Sequence, residues 1–402
     1  MDGKIIIIGG GIGGLTAALA LLRQGCEVEV HESASTIGDV GAGITLGASA
    51  SRGLYALGLQ QALSEVSDQP DEASAALHYQ TGQVLAGAFK DRQWKPEDLG
   101  PTHLIHRADL YAVLYRAVLD LAPGAVRLGH KLAGFTQDEA GVTARFDNGD
   151  TAHGAALIGC DGVRSTVRAQ MFGAEQPLFT GQVAYRFLVP MDKARPFMSA
   201  SPSGPYVGPG KSFMRYAIRH KTLVNCVTFV TTDSWTGEGW SQRCSVEELQ
   251  ALFPGWHRDV LGLAANAPLE GTAKWALYDR DPLDRWVQGR VGLLGDAAHP
   301  MLPFLGLGAA MAIEDAVVLA RAWGQCRDVG AALALYQAAR LERANLMLLE
   351  SRRQGQAFRE GPQGGQQRTL TTHRERMAYD PATVPLPSDL TPVAAHEQGK
   401  HP

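Results

Sequence analysis

Between Lys4 and Leu22 the chain runs from a β-branched stretch, Ile5-Ile6-Ile7-Ile8, through Gly9-Gly10-Gly11-Ile12-Gly13-Gly14 into Leu15-Thr16-Ala17-Ala18-Leu19-Ala20-Leu21-Leu22. Few folds accept this order. The isoleucines read as a buried strand, the leucine–alanine run as a helix ending at Gly25, and Glu27–His31 as a second strand. Strand, turn, helix and strand within about thirty residues make a βαβ unit with a right-handed crossover. In Gly9-x-Gly11-x-x-Gly14 the first glycine permits a tight turn. The second lets backbone approach a pyrophosphate, and the third lets helix and strand pack closely. The phosphate then meets the helix N-terminus, where free N–H groups and the helix dipole favour negative charge. Glu32 follows the second strand, 18 residues after Gly14, where its carboxylate can accept hydrogen bonds from an adenosine ribose. The pattern predicts a bound dinucleotide; a glycine-rich turn beside a surface glutamate is the plain alternative.

Charge and cysteine usage narrow the class. The 402 residues suggest two or three domains. Lys+Arg number 37 against 41 Asp+Glu, so no basic excess points to nucleic acid or to an anionic membrane surface. The uncharged run Ile5–Leu22 has nearly the length of a membrane span, but its five glycines interrupt a lipid-facing helix. Five scattered cysteines without CxxC spacing argue against a disulfide framework and a thiolate metal site, and fit a reducing cytoplasm. No metal is expected. Glycine is the outlier, at 46 residues.

The remaining chain reads as mixed α and β. A small-residue loop covers 33–47, short helices cover Ser49–Leu59 and Gln60–Val66, and Thr81-Gly82 suggests a hairpin between Ala75–Tyr79 and Val84–Ala88. Ala108–Leu121 has helical apolar spacing, and Asn148-Gly149 joins two strands. Strands dominate 182–276, with Gly and Pro filling Ser201–Gly210; Gly308–Trp323 and Ala331–Arg353 are helical.

Two further motifs follow strands and open helices. One is Gly159-Cys160-Asp161-Gly162-Val163-Arg164-Ser165-Thr166-Val167-Arg168. The other is Gly292-Leu293-Leu294-Gly295-Asp296-Ala297-Ala298-His299-Pro300, with Gly306-Leu307-Gly308 opening a helix that carries Glu314-Asp315. With these motifs in this order, the chain resembles the group A flavin-dependent monooxygenases. It is most similar to the single-component aromatic hydroxylases acting on salicylate, 6-hydroxynicotinate or 3-hydroxybenzoate. The resemblance spans roughly residues 3–350.

It implies an α/β fold: a Rossmann-like FAD-binding domain of the para-hydroxybenzoate hydroxylase type, interrupted by a β-sheet substrate-binding domain and followed by C-terminal helices. The FAD-binding domain would comprise 1–74, 101–180 and 277–355, and the substrate domain 75–100 and 181–276; residues 356–402 would be a loosely packed tail. Gly9, Gly11, Ile12, Gly13, Gly14 and Glu32 would hold the ADP half of FAD, with Gly43 and Arg107 also against the cofactor. Asp161 and Gly162 form the family's Asp-Gly motif, Asp296 would bind the ribitol, and Pro300 lies where the chain passes the flavin ring. Leu307, Gly308 and Ala309 would face the pyrimidine end of the ring. Asp161 alone also reads as a helix cap, and Glu314 and Asp315 as helix residues supporting the site rather than doing chemistry. His299 reads as a structural hydrogen-bonder.

The implied chemistry is hydroxylation of a small aromatic by dioxygen, through a flavin C4a-hydroperoxide, with NADH or NADPH as a transient electron donor. No second Gly-x-Gly-x-x-Gly offers the nicotinamide its own domain. On Ser212–Arg219, Ser212, Met214, Tyr216 and Ile218 share one face of a strand, as a substrate wall should. Tyr216 and Pro300 are the catalytic candidates; Thr45, Met214, Tyr216 and Arg186 the substrate-binding ones, Arg186 as a carboxylate clamp. Arg219 and His220 read as solvated residues at a hairpin end. The sequence departs from near relatives at Leu307, where Gln is usual, at Thr45, where the 6-hydroxynicotinate enzymes carry His, and at Ala48-Ser49, where Pro-Asn is commoner. Epoxidation or oxidative decarboxylation on the same fold, or flavin binding without turnover, are the alternatives. A monomer or homodimer is expected.

Overall fold

The computed structural model describes residues 3–36, 41–71, 74–85, 100–233, 235, 242–268, 270–360 and 378–388. Ile5–Ile8 lies inside a six-stranded sheet ordered Val287–Gln288, Val291–Leu293, Ala156–Gly159, Ile5–Ile8, Val28–Glu32, Val126–Leu128. All neighbours are parallel except the first pair. Four consecutive buried isoleucines suit a strand covered on both faces, and helices Ile12–Arg23 and Gly308–Gln325 pack together against it. Strands Leu132–Gln137, Val142–Phe146 and Thr151–Gly154 form an antiparallel meander beside this sheet, its last two strands joined through Asn148-Gly149.

A second, seven-stranded sheet runs Gln242–Arg243, Ala273–Asp279, Leu178–Pro190, Leu223–Thr231, Lys211–Ile218, Gly204–Gly208, Leu77–His78. Its neighbours are antiparallel except the last pair. Strand alternation gives this sheet two different faces. Phe187, Phe213 and Cys226 point to one, where Leu249, Phe253, Trp256, Val260 and Leu263 cover them. Arg186, Met214, Tyr216 and Val227 point to the other, which lines a cleft.

Several sequence expectations change. Within the expected loop 33–47, Gly43–Leu46 is a strand, because His103–His106 supplies an antiparallel partner and Asn225 Oδ1 accepts the Gly43 N–H at 2.8 Å. The expected hairpin after Ala75 reduces to one bridge, Leu77 to Val84; Leu77–His78 pairs instead in parallel with Gly204–Gly208, and residues 86–88 lie outside the described ones. Part of the Gly- and Pro-rich stretch Ser201–Gly210 is likewise a strand. Arg219 is not simply solvated: it makes a two-pronged ion pair with Asp109, at 2.9 and 2.7 Å, across to the helix Arg107–Leu121.

The loosely packed tail expected for 356–402 is also corrected where it is described. The helix Val329–Glu360 continues into it, and residues 378–388 dock on the core. Arg321 donates to the Pro381 carbonyl at 2.8 Å, and the Arg343 guanidinium lies 3.8 Å from the Tyr379 ring centre. Pro-rich composition concealed this, because the anchoring side chains come from distant helices. No helix among the described residues is long and apolar enough to cross a membrane.

Candidate active site

A cleft of about 580 Å³ separates the two sheets. Thirteen of the sequence-selected residues line it: Gly11, Ile12, Gly13, Gly43, Thr45, Arg107, Gly162, Arg186, Met214, Tyr216, Asp296, Gly308 and Ala309. They come from the first βα turn, the strand Gly43–Leu46, the start of helix Arg107–Leu121, the Asp-Gly loop, the second sheet and the start of helix Gly308–Gln325. Residues far apart in the chain thus converge on one concave surface.

The glycine turn shows why its residues are small. A Cβ at Gly14 would sit 1.9 Å from the Gly9 carbonyl oxygen, so the helix could not approach the strand. Gly9 has φ +102°, which other residues rarely adopt. At Gly11 the space in front of the Cα is open, with no protein atom within 4 Å of a built Cβ. Gly11 caps helix Ile12–Arg23 with no side-chain hydrogen bond, leaving that N-terminus unsatisfied on the cleft side. Gly9 and Gly14 therefore shape the turn from behind, whereas Gly11, Ile12 and Gly13 form its exposed wall.

Glu32 is engaged by backbone: Oε2 accepts the Gly10 N–H at 2.7 Å and Oε1 the Ala34 N–H at 2.8 Å. It closes the turn at the end of its strand. Asp161 does not itself line the cleft. Its carboxylate accepts the N–H groups of Thr166 and Val167, at 2.7 and 3.1 Å, and the Ser165 hydroxyl, capping helix Thr166–Phe172. Burial pushes this carboxyl up, against those hydrogen bonds. Its neighbour Gly162 lines the cleft.

Asp296 opens into the cleft, beside Gly308. The enclosing walls push its carboxyl up, and the nearby charges of His299 and Arg107 oppose this. Pro300 is buried and Leu307 packs partly on the main core; neither lines the cleft. The helix after Leu307 starts with no side-chain cap, so Gly308 and Ala309 present free N–H groups to the cleft.

The opposite wall is apolar with one polar corner. Met214, Val227, Phe229, Met301 and Phe304 supply the apolar part. In the corner, burial pushes the Tyr216 phenol up to about 12, against the charge of Arg186 and the nearby Thr45 hydroxyl. Arg186 sits 5.7 Å from the Trp275 ring centre, and its buried Nε has no partner.

The sequence reading missed Asn225 and Arg340, whereas Asp315 has the supporting place expected of it. Asn225 is fully buried opposite Tyr216 and holds Gly43; a polar residue inside Leu223-Val224-Asn225-Cys226-Val227 was its signal. Asp315, noted only as a supporting helix residue, accepts from Gly295 N, His299 and Arg340 beneath the Asp296 turn. Arg340 lies in a helix with no motif to mark it.

A family model described as "FAD binding domain" matches residues 2–351. The chain belongs to this family of FAD-binding proteins. The 3-amino-4-hydroxybenzoate 2-monooxygenase of Streptomyces platensis is 38% identical to it over 367 residues, 91% of this chain and 90% of that protein. The 6-hydroxynicotinate 3-monooxygenase of Pseudomonas fluorescens is 36% identical over 355 residues, 85% of this chain and 88% of that one. Among solved structures, Klebsiella pneumoniae HpxO complexed with FAD and uric acid aligns with TM-score 0.78 at 29% identity, covering 93% of this chain and 92% of that one. The protein is an FAD-dependent monooxygenase of the aromatic hydroxylase type, with the fold expected from its sequence.

The residues present fit that cofactor. The open space before Gly11 and the uncapped helix behind it suit a pyrophosphate. Arg107, exposed at the cleft, offers it a positive charge. The free N–H groups at Gly308 and Ala309 suit the end of an isoalloxazine that gains negative charge on reduction.

Proposed function

We propose that this flavoenzyme hydroxylates a small phenol or phenolic acid with dioxygen, using NADH or NADPH as donor. The observation that carries this reading is the composition of the cleft. A dinucleotide cradle and an aromatic-sized apolar wall, ending in Tyr216, Thr45 and Arg186, share one cavity. The relatives named above are described as acting on hydroxylated aromatic acids, which suits that corner.

Reduced FAD, when bound, supplies the activation of dioxygen. The chain's own residues do the rest. Gly11, Gly13 and Arg107 would hold the phosphates, Asp296 the ribitol hydroxyls, and Gly308 and Ala309 the ring edge. Met214, Val227, Phe229 and Phe304 would hold the substrate ring and exclude water. Tyr216 would donate to an oxygen of the substrate, and Arg186 would hold a negatively charged group.

The test is a screen of phenols and aromatic acids for stimulated NADH and NADPH oxidation by purified protein, with product masses measured. Bound FAD and a product one oxygen heavier, its skeleton intact, are expected. Protein without FAD, or no stimulation by any aromatic, refutes the reading.

A further inference from the structure

Two cavities meet at one short segment. Met301, Pro303 and Phe304 line the cleft, whereas Leu302 between them lines a second chamber of about 600 Å³ on the far side. Among the described residues that chamber is also lined by Leu178, Phe179 and Gly355. Its arginines are already matched: Arg280 pairs with Glu175 at 3.2 Å, and Arg352 pairs with Asp279. Phe304 on the cleft side and Gly355 on the chamber side are in contact. The partition at this point is one aromatic ring thick.

Strand register places the partition along the cleft. Tyr216 pairs with Asn225, Met214 with Val227 and Ser212 with Phe229. At about 3.3 Å per residue, Phe229 stands about 13 Å along the sheet from Tyr216. The rings of Phe229 and Phe304 lie with centres 4.8 Å apart. The cleft therefore runs from the polar corner at Tyr216, past Met214 and Val227, to a closed aromatic end. A phenol that bonds to Tyr216 and lies along the sheet aims the group opposite its hydroxyl at Phe304. One ring fits that length; a second ring in line with it meets Phe304.

The far helix holds Phe304 in place. Ser351 donates to the Leu302 carbonyl, and one turn further along, Gly355 leaves the notch that the Phe304 ring fills. Glycine is a poor residue for a helix interior. Here a Cβ would lie 2.5 Å from the ring and drive it towards the cleft.

We propose that Phe304 sets the length of the substrate, restricting it to a single ring with a short group opposite the phenol, and that Gly355 fixes Phe304 in that place from behind. This rests on the hydroxylase reading above. Phe304 determines specificity by direct contact, whereas Gly355 is a positioning residue that lines the chamber and not the cleft. Without the ring, the cleft opens into the chamber, and a longer phenol finds volume where it met a wall.

The probes are 4-methylphenol, 4-butylphenol and 4-phenylphenol. Each is titrated into FAD-loaded protein, and binding is read from the perturbed flavin absorbance, which requires no turnover. The wild type is expected to bind 4-methylphenol at least about tenfold more tightly than 4-phenylphenol. Phe304→Ala gains at least about tenfold for 4-phenylphenol and nothing for 4-methylphenol. Gly355→Ala weakens 4-butylphenol at least about threefold, and has no effect once Phe304 is alanine, a coupling that a general loss of packing would not produce. Equal FAD content shows that the variants fold, and Phe304→Leu, a smaller cut, replaces Phe304→Ala if that variant loses FAD. Equal binding of the three probes by the wild type overturns the proposal. So does a shortened Phe304 that gains nothing for 4-phenylphenol, failure of all three probes to bind included, or a Gly355→Ala effect that persists without the ring. If no aromatic stimulates NAD(P)H oxidation, the hydroxylase reading fails instead, and the binding titrations still decide whether Phe304 limits length.

Discussion

The carboxylate of Asp315 accepts the Nε2–H of His299 at 2.6 Å, with both side chains buried beneath the turn that carries Asp296. The same carboxylate takes the Gly295 N–H at 3.1 Å and Arg340 Nε at 2.8 Å. One side chain thus ties the third glycine motif to two helices. Arg340 also pairs with Glu314 at 2.8 Å, and Arg343 grips Glu314 from the side. All four charges sit inside the fold or at its edge, where pairing has to offset desolvation.

Asp315→Asn keeps the shape of this node and removes its charge. Burial alone would raise the Asp315 carboxyl, but the charges of His299 and Arg340 overcome it and bring it down to about 2. A depressed folded pKa stabilises the protein above the ordinary carboxylate range, and that contribution is lost as pH falls towards 2. At neutral pH the substitution should cost about 3 kcal/mol, because the buried Arg340 keeps only one of its two carboxylates. It should also loosen FAD, since the Asp296 turn loses its anchor. Denaturant unfolding and flavin content after gel filtration measure the two effects. A variant with wild-type stability and full flavin would show that the node does not position the turn.

His31 predicts a second loss of stability on acidification, in a higher pH window and from burial rather than ion pairing. Its ring stacks on Phe146 with centroids 4.3 Å apart, and neither ring nitrogen has a hydrogen-bond partner. Burial lowers its pKa from 6.5 to about 4, although Glu29 nearby pulls the other way. The folded state therefore resists protonation. Above about pH 6.5 this costs nothing, and the penalty grows as pH falls towards 4, reaching about 3 kcal/mol. His31→Phe removes the titrating group. Its stability relative to wild type should rise between neutral pH and pH 4.5, read from urea midpoints at each. Parallel losses in the two proteins would remove His31 from the account.

The docked C-terminal segment carries a third prediction. Arg52 and Arg321 donate to the carbonyls of Tyr379 and Pro381, while the Tyr379 ring lies under Arg343 and Arg340, at 3.8 and 5.1 Å. Ala382, Val384 and Leu386 pack on the main core. Ending the chain at residue 377 should cost about 3 kcal/mol, from lost apolar burial and cation–π contact. Tyr379→Ala alone should cost about 1–2 kcal/mol. Thermal unfolding separates these values from the zero expected of a loose tail.

What could be read in the sequence was local. The turn at Gly9–Gly14 and the alternation through Met214 and Tyr216 each depend on neighbours within a few residues, and the structure places these residues around one cleft. The Gly43–Leu46 strand could not be read that way, because its partner, His103–His106, lies about sixty residues on and its tether, Asn225, 182 residues on from Gly43. Asp161 shows a different limit. An aspartate ahead of a helix is compatible both with a ligand and with a cap, and only its three hydrogen bonds reveal the cap. Arg340 had no sequence signal, because a buried arginine in a long polar-faced helix looks like a solvated one until its partners are placed.

The glycine turn allows cofactor binding and folding to be separated by two single substitutions. At Gly14 a methyl group would sit 1.9 Å from the Gly9 carbonyl oxygen and 3.3 Å from the Cys160 side chain. Backbone cannot yield that far without moving the helix off the strand, so Gly14→Ala should leave little folded protein, with or without FAD. At Gly11 the methyl would meet no protein atom within 4 Å, and the backbone there, at φ −72°, suits alanine. Gly11→Ala should therefore fold, with secondary structure and apoprotein stability within about 0.5 kcal/mol of wild type. The new methyl fills the space through which the pyrophosphate must approach the helix N-terminus. FAD affinity should fall at least tenfold, measured by flavin fluorescence during titration of the apoprotein. Undiminished affinity in Gly11→Ala would move the phosphates away from this turn, and with them the assignment of the cleft's cofactor end.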